Sequence, residues 1–119
     1  MNMILLTSSF WKAFFDPNNP KHQNAKKELE IYDKEKIIID QYGFFKIIVW
    51  LESNNKKNQV RWFFEYVLGT YNVRLIYLGK EELSKMPLKL QHSEQSHDLF
   101  ESAVIEYMKN RYNCDCMKY

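Results

Sequence analysis

The chain has 119 residues, of which 45% are hydrophobic and 27% charged, with a formal net charge of +2, three glycines and three prolines. That length suits one domain with a real core and excludes two of ordinary size, and the composition excludes both disorder and a turn-rich all-β sandwich. The lysines are spread along the chain, so the near-neutral balance shows no basic stripe of the kind that announces nucleic acid.

Met3 to Leu6 is a short apolar run that gives way at once to Thr7, Ser8 and Ser9, with no basic flank and no small-residue cleavage site. It reads as a strand, not as a signal. No window reaches the roughly 20 apolar residues that a bilayer span requires, and the densest run, Phe44 to Leu51, is broken by Lys46. The expectation is a cytoplasmic protein with no membrane partner. Ser8 or Ser9 is placed to cap a first helix, in which Phe10, Trp11, Phe14 and Phe15 share one face before Asp16-Pro17 stops it. Pro20 suits the first turn of a second helix, whose inward residues are Ala25, Leu29 and Tyr32 and which ends near Asp33.

Ile37, Ile38 and Ile39 run without alternation, the pattern of a parallel strand covered on both faces, and Asp40 follows as a cap for the next helix. Periodicity alone leaves Phe44 to Leu51 open between strand and helix; its length and its cap select a helix enclosed on nearly all sides. A helix from Lys57 to Leu68 carries Val60, Phe63, Phe64, Val67 and Leu68 on one stripe, with Gly69 as its stop. Val73 to Leu78 reads as a strand, Glu81 to Met86 as a short helix, and Gln95 to Arg111 as a long helix with Leu99, Ala103 and Tyr107 inward. Cys114 to Met117 is the last strand. Cys114 and Cys116, two apart and on the same face of such a strand, read as free thiols. Strands separated by helices imply an α/β fold, a three-layer α/β/α sandwich with a central parallel sheet of about four strands, over residues 1–119 as a single domain. In such sheets ligands bind beyond the carboxyl ends of the strands, which directs attention to Thr7 and Asp40.

Four strings along the chain resemble the PIN family, metal-dependent ribonucleases that include VapC-like toxins. Met3-Ile-Leu-Leu-Thr-Ser-Ser-Phe-Trp11 is similar to the opening strand and helix, and Phe14-Phe-Asp-Pro-Asn-Asn-Pro-Lys-His22 to the loop that follows. Ile37-Ile-Ile-Asp-Gln-Tyr-Gly-Phe-Phe-Lys-Ile-Ile-Val-Trp-Leu51 resembles the second strand and central helix. Asp98-Leu-Phe-Glu-Ser-Ala-Val-Ile-Glu-Tyr-Met-Lys109, then Asn113-Cys-Asp-Cys116, resembles the late helix and the strand after it. The resemblance implies clustered carboxylates holding Mg²⁺ or Mn²⁺, because hard divalent ions take oxygen ligands and activate water. Here Thr7 stands where the first aspartate is expected, Lys46 where a glutamate is expected, and Ser102 where a late aspartate is expected. The sequence also ends at Tyr119, before or at the segment where the family often places a further acid.

A lysine in that position disfavours a divalent ion, so the expectation is a degenerate site with no cofactor and without metal-dependent ribonuclease activity. Lys46 is expected to point inward or into the cleft and to pair with a nearby acid such as Asp40 or Asp98. The cleft of Thr7, Ser9, Asp40, Lys46, Asp98 and Ser102 is then a neutral-to-basic surface for RNA or for a protein such as an antitoxin. Phe10, Trp11 and Phe14 are candidates for a homodimer interface, and core is their blander role. A second reading keeps an active Mg²⁺- or Mn²⁺-dependent ribonuclease built on Asp40, Asp98 and Glu101, although Asp98 and Glu101 also suit the positive end of a helix and Asp40 a cap. A third makes the chain an unrelated small α/β binding module. His22, His92 and His97 have no metal-ligand spacing and read as surface or capping residues.

Overall fold

The computed structural model describes residues 3–86 and 99–117. In chain order these form β1 (Met3–Leu6), α1 (Ser8–Phe15), α2 (His22–Tyr32), β2 (Lys36–Asp40), α3 (Gln41–Ser53), α4 (Lys57–Gly69), β3 (Val73–Ile76), α5 (Lys80–Ser84), α6 (Leu99–Tyr112) and β4 (Asp115–Met117). The strands make one parallel sheet in the order β3-β2-β1-β4. Parallel neighbours need long crossovers, and here helices supply them.

Because strand residues alternate between faces, the isoleucine run of β2 divides between two cores. Ile37 and Ile39, with Ile4 and Leu6 of β1, pack under α1 to α4. Ile38 and Leu5 point the other way, toward Val104 and Met108 of α6 and toward Cys114. This is the three-layer sandwich that the unalternating run implies. Cys114 and Cys116 are free thiols, the first buried and the second half-buried.

Local chemistry explains the boundaries. The Asp40 carboxylate accepts the Gly43 N–H at 2.7 Å and so caps α3. Asn55 at φ 58° and Asn113 at φ 48° turn the chain into the left-handed region just past α3 and α6, a conformation asparagine tolerates better than most residues. Gly69 is instead the last residue of α4 and needs no positive φ, so the stop there comes from the extended backbone of Thr70. The cap position of α1 belongs to Thr7, and not to Ser8 or Ser9, which lie inside the helix. Pro20 sits in the turn before α2, and His22, the first residue of that helix, ties it to α1 through a ring nitrogen 2.9 Å from the Ala13 carbonyl.

Three stretches are less enclosed than their sequence suggests. In α3, Phe45 and Val49 are 53% and 64% exposed, because a helix lying on a sheet buries one side however apolar its other side is. In α4, Phe63 and Val67 are buried while Phe64 and Leu68 are exposed at the edge of the stripe. Along α6 the buried residues are Ala103, Val104 and Met108, with Leu99 and Tyr107 half-buried. The β3 strand stops at Ile76, short of Leu78, and α5 covers Lys80–Ser84. The predicted start of the long helix at Gln95 lies outside the described residues, as do His92 and His97.

Candidate functional site

The register that pairs Leu5 with Ile38, carried two residues further, brings Thr7 and Asp40 level at the carboxyl ends of the two central strands. Both are buried, as is Ser8. Around them the hydroxyls and carboxylates are joined. Thr7 Oγ1 donates to the Met117 carbonyl at 3.1 Å and lies 3.0 Å from Ser9 Oγ. On the far side, α6 begins near this point and contributes Glu101 from its first turn. Ser8 Oγ donates to Glu101 Oε1 at 2.7 Å, and the Lys46 ammonium donates to Glu101 Oε2.

Lys46 arrives from α3, where it is the one charged residue between Asp40 and Glu52. One helical turn earlier, Tyr42 lies with its ring centroid 5.8 Å from the Lys46 ammonium and meets Phe100 edge-on at 4.8 Å. Lys46 was expected to pair with a nearby acid such as Asp40 or Asp98; the described structure pairs it with Glu101. Asp98 lies outside the described residues. Asp40 remains close enough for its charge to matter. Burial pushes its carboxyl above the usual carboxylate range, Glu101 adds to the rise, and the Gly43 N–H and Lys46 oppose it.

The site thus gathers Thr7, Ser8, Ser9, Asp40, Lys46 and Glu101. Ser102 is not directed with them: the step of about 100° from Glu101 along the helix leaves it exposed, lining a groove with Ile105, Glu106, Lys109 and Asn110. Phe10 and Trp11 are 0% and 1% exposed, buried among other rings of the same chain, so they are core and cannot face a second copy. Phe14 alone of the three reaches the surface. Sequence reasoning missed Ser8, read only as a cap, and Tyr42; its i, i+4 spacing from Lys46 was the available signal.

A divalent ion of the Mg²⁺ type asks for about six oxygen ligands free to turn toward it. The donors here are already engaged. Both Glu101 oxygens are taken by Ser8 and Lys46, Asp40 accepts a backbone N–H, and Thr7 is spent on Met117 and Ser9. An ammonium about 4 Å from the ion would oppose it by about 4 kcal/mol per unit charge at an effective dielectric near 20. Among the described residues no group of three or more His, Cys, Asp or Glu side chains is arranged to hold a metal ion. The described residues do not fit one.

No family model matches the sequence, and no curated protein matches it. Among solved structures, the chain is similar to VapC20 of Mycobacterium tuberculosis, described as a sarcin-ricin loop cleaving toxin, with a TM-score of 0.74 over 98% of this chain and 88% of that one. The fold is PIN-like. At 14% identity the likeness reaches the backbone and its topology and leaves the site to be read from its own residues. No helix among the described residues of this PIN-like chain is long and apolar enough to cross a membrane.

Proposed function

We propose that this chain is a PIN-like domain without metal-dependent ribonuclease activity that acts by binding a protein partner, in a toxin–antitoxin setting or one derived from it. The observation that carries the reading is the Lys46 ammonium seated on Glu101 at the carboxyl ends of the central strands. The same contact separates protein from RNA. Affinity for nucleic acid comes largely from cations that neutralise phosphates, and Lys46 is matched by Glu101 with Asp40 beside it, so among the described residues the predicted neutral-to-basic cleft carries no surplus positive charge.

Apolar surface is present instead. Phe14, Leu29, Trp62 and Tyr66, with Lys26, Glu30 and Asp33, line a groove of about 300 Å³ between α1, α2 and α4. Its floor is stiff, because the Trp62 and Tyr66 rings stack at 5.0 Å and Phe14 stacks on Trp62 at 5.5 Å. Exposed aromatic rings held in place lose little entropy on binding and favour protein contacts. An amphipathic helix of an antitoxin-like partner suits the groove; Phe14 also suits a second copy, which light scattering would register as a doubled mass.

Two assays test the reading. With Mn²⁺ and an RNA hairpin carrying the sarcin-ricin loop, the wild-type chain is expected to leave the RNA intact and to bind it no better than unrelated RNA. Mn²⁺-dependent cleavage that Asp40→Asn and Glu101→Gln abolish would establish the second reading, a ribonuclease on non-standard acids, which the convergence of those two carboxylates favours. For the partner, the chain is purified from its own cells as wild type and as Trp62→Glu. A stoichiometric protein retained by the first and lost from the second supports the proposal, and wild-type protein that elutes alone overturns it.

A further inference from the structure

At the end of the sheet opposite Asp40 a different set of side chains meets. Lys36 opens β2 and Asp40 closes it, so the two lie about 13 Å apart at a rise of about 3.3 Å per residue. Ile38 faces α6 and is the register partner of Arg74 on β3, so Arg74 and Lys36 stand on that same side of the sheet. There α6 packs on β1 and β4, and Lys36 and Arg74 are both exposed. With Lys34, Glu35, Tyr71 and Asn72 they line a pocket of about 200 Å³. The two lysines lie far from Arg74 in the chain, which is why the sequence shows no basic stripe.

The pocket sets three cations against one carboxylate, in a chain whose whole formal surplus is +2. That carboxylate, Glu35, is half-buried and its charge bears on Tyr32. Among the described residues no ion pair engages Lys34, Lys36 or Arg74. The backbone beneath them is fastened. Asn72 Nδ2 donates to the carbonyls of Asp33 and Glu35 at 2.8 and 2.7 Å, and the Ile37 N–H donates to the Asn72 carbonyl at 2.9 Å. These bonds join the segment that carries the two lysines to the one that carries Tyr71 and Arg74. Tyr71 is 98% exposed, so its ring is open to a planar ligand.

We infer that this pocket is a contact site for single-stranded nucleic acid, with backbone phosphates on Lys34, Lys36 and Arg74 and an unpaired base on the Tyr71 ring. Cations supply affinity that is indifferent to sequence, and an aromatic face adds stacking that every base can give. The ring beside the cations selects nucleic acid over an acidic peptide, which would use the charges alone. The site is separate from the groove proposed for a protein partner, and neither reading depends on the other. Being tolerant of sequence, it gives no preference for a sarcin-ricin hairpin.

The test is fluorescence anisotropy of the full chain with a labelled oligo-uridine of about ten nucleotides, titrated at several low salt concentrations. Wild type is expected to bind with log K falling against log salt at a slope of about −2, since each phosphate neutralised on a single strand contributes about 0.7. Lys36→Gln and Arg74→Gln should each flatten that slope by about 0.7. Tyr71→Ala should weaken binding about tenfold at unchanged slope, while Tyr71→Phe, which keeps the ring, binds as wild type. Lys80→Gln, beyond the carboxyl end of β3, should leave affinity and slope as they are. All these positions are exposed, and urea unfolding checks that each variant is folded. On duplex DNA, whose bases are paired, Tyr71→Ala should cost nothing. Wild type that fails to bind at low salt overturns the inference, as does Tyr71→Ala that binds oligo-uridine unimpaired or loses duplex equally. Lys80→Gln that flattens the slope as much as Lys36→Gln overturns it too, because the attraction would then belong to the whole surface.

Discussion

On one face of the sheet Trp11 meets the rings of Phe10, Phe14, Phe15, Phe63 and Tyr66, at centroid separations between 4.9 and 6.1 Å. On the other, the buried set is Leu5, Ile38, Ile76, Val104, Met108 and Cys114, with aromatic rings only at its margin. Several helices cover the first face, and α6 is the chief described cover of the second. The two faces are therefore fastened differently. Dense aromatic packing positions α1 and α4 through many contacts, so no single polar tie decides where they lie. With less apolar area, α6 relies on placed contacts at its start: Glu101 on Ser8 and Lys46, and Phe100 on Tyr42. A site lying between a rigid wall and a tethered one is shaped by the tether.

The largest effect expected follows from the dense face. Phe63 is fully buried and touches Trp11, Phe15 and Phe44. Phe63→Ala should cost about 3 to 5 kcal/mol, measured by urea unfolding, because neighbouring rings cannot close the void. Met108→Ala on the sparser face should cost less, about 2 to 3 kcal/mol, its neighbours being aliphatic and able to settle. If Met108→Ala proved the more damaging, the contrast between the faces would be wrong.

The tether gives a smaller effect. Lys46 and Glu101 are 28% and 21% exposed in their side chains, so their attraction is partly screened. Lys46→Met should cost about 1 to 3 kcal/mol, between the values for exposed and buried pairs, with a coupling to Glu101→Gln of about 1 kcal/mol in a double-mutant cycle. Hydrogen exchange sharpens the comparison. Faster exchange in α6, with α1 and α4 unchanged, is what a tether predicts; a uniform increase would mean that the pair stabilises the whole domain and positions nothing.

The sequence carried the sandwich well because its signals are local or periodic. Ile37, Ile38 and Ile39 announced a strand buried on both faces, and Asp40, read as the cap of the next helix, accepts the Gly43 N–H there. Lys46 stood out as a charge in an apolar helix and does reach the cleft. The contact with Glu101 was not legible, since Glu101 lies 55 positions away and depends on the rotation of α6. The same rotation separates Glu101 from Ser102, a one-residue distinction that string resemblance blurs and a helix of 3.6 residues per turn enforces. Phe10 and Trp11 failed as surface candidates for a related reason: aromatic residues on a helix face announce burial but not whether the cover is the same chain or another.

The smallest effect concerns Asp40, where the rigid and tethered walls meet. Burial raises its carboxyl above the usual carboxylate range, with Glu101 adding and the Gly43 N–H and Lys46 opposing. A group whose folded pKa lies above its unfolded one binds more protons in the folded state, so its favourable contribution is complete below pH 4 or so and is lost as pH rises through the folded pKa. Asn at this position would still accept the Gly43 N–H and carries no charge to bury. Asp40→Asn should therefore match wild type near pH 4 and become the more stable of the two as pH approaches 7. Urea unfolding of both proteins across that range cancels the titration of every other group. A difference of the opposite sign, with wild type gaining as pH rises, would mean that Lys46 holds Asp40 ionised more strongly than burial resists it, and the lysine would then be tethering both carboxylates and not Glu101 alone.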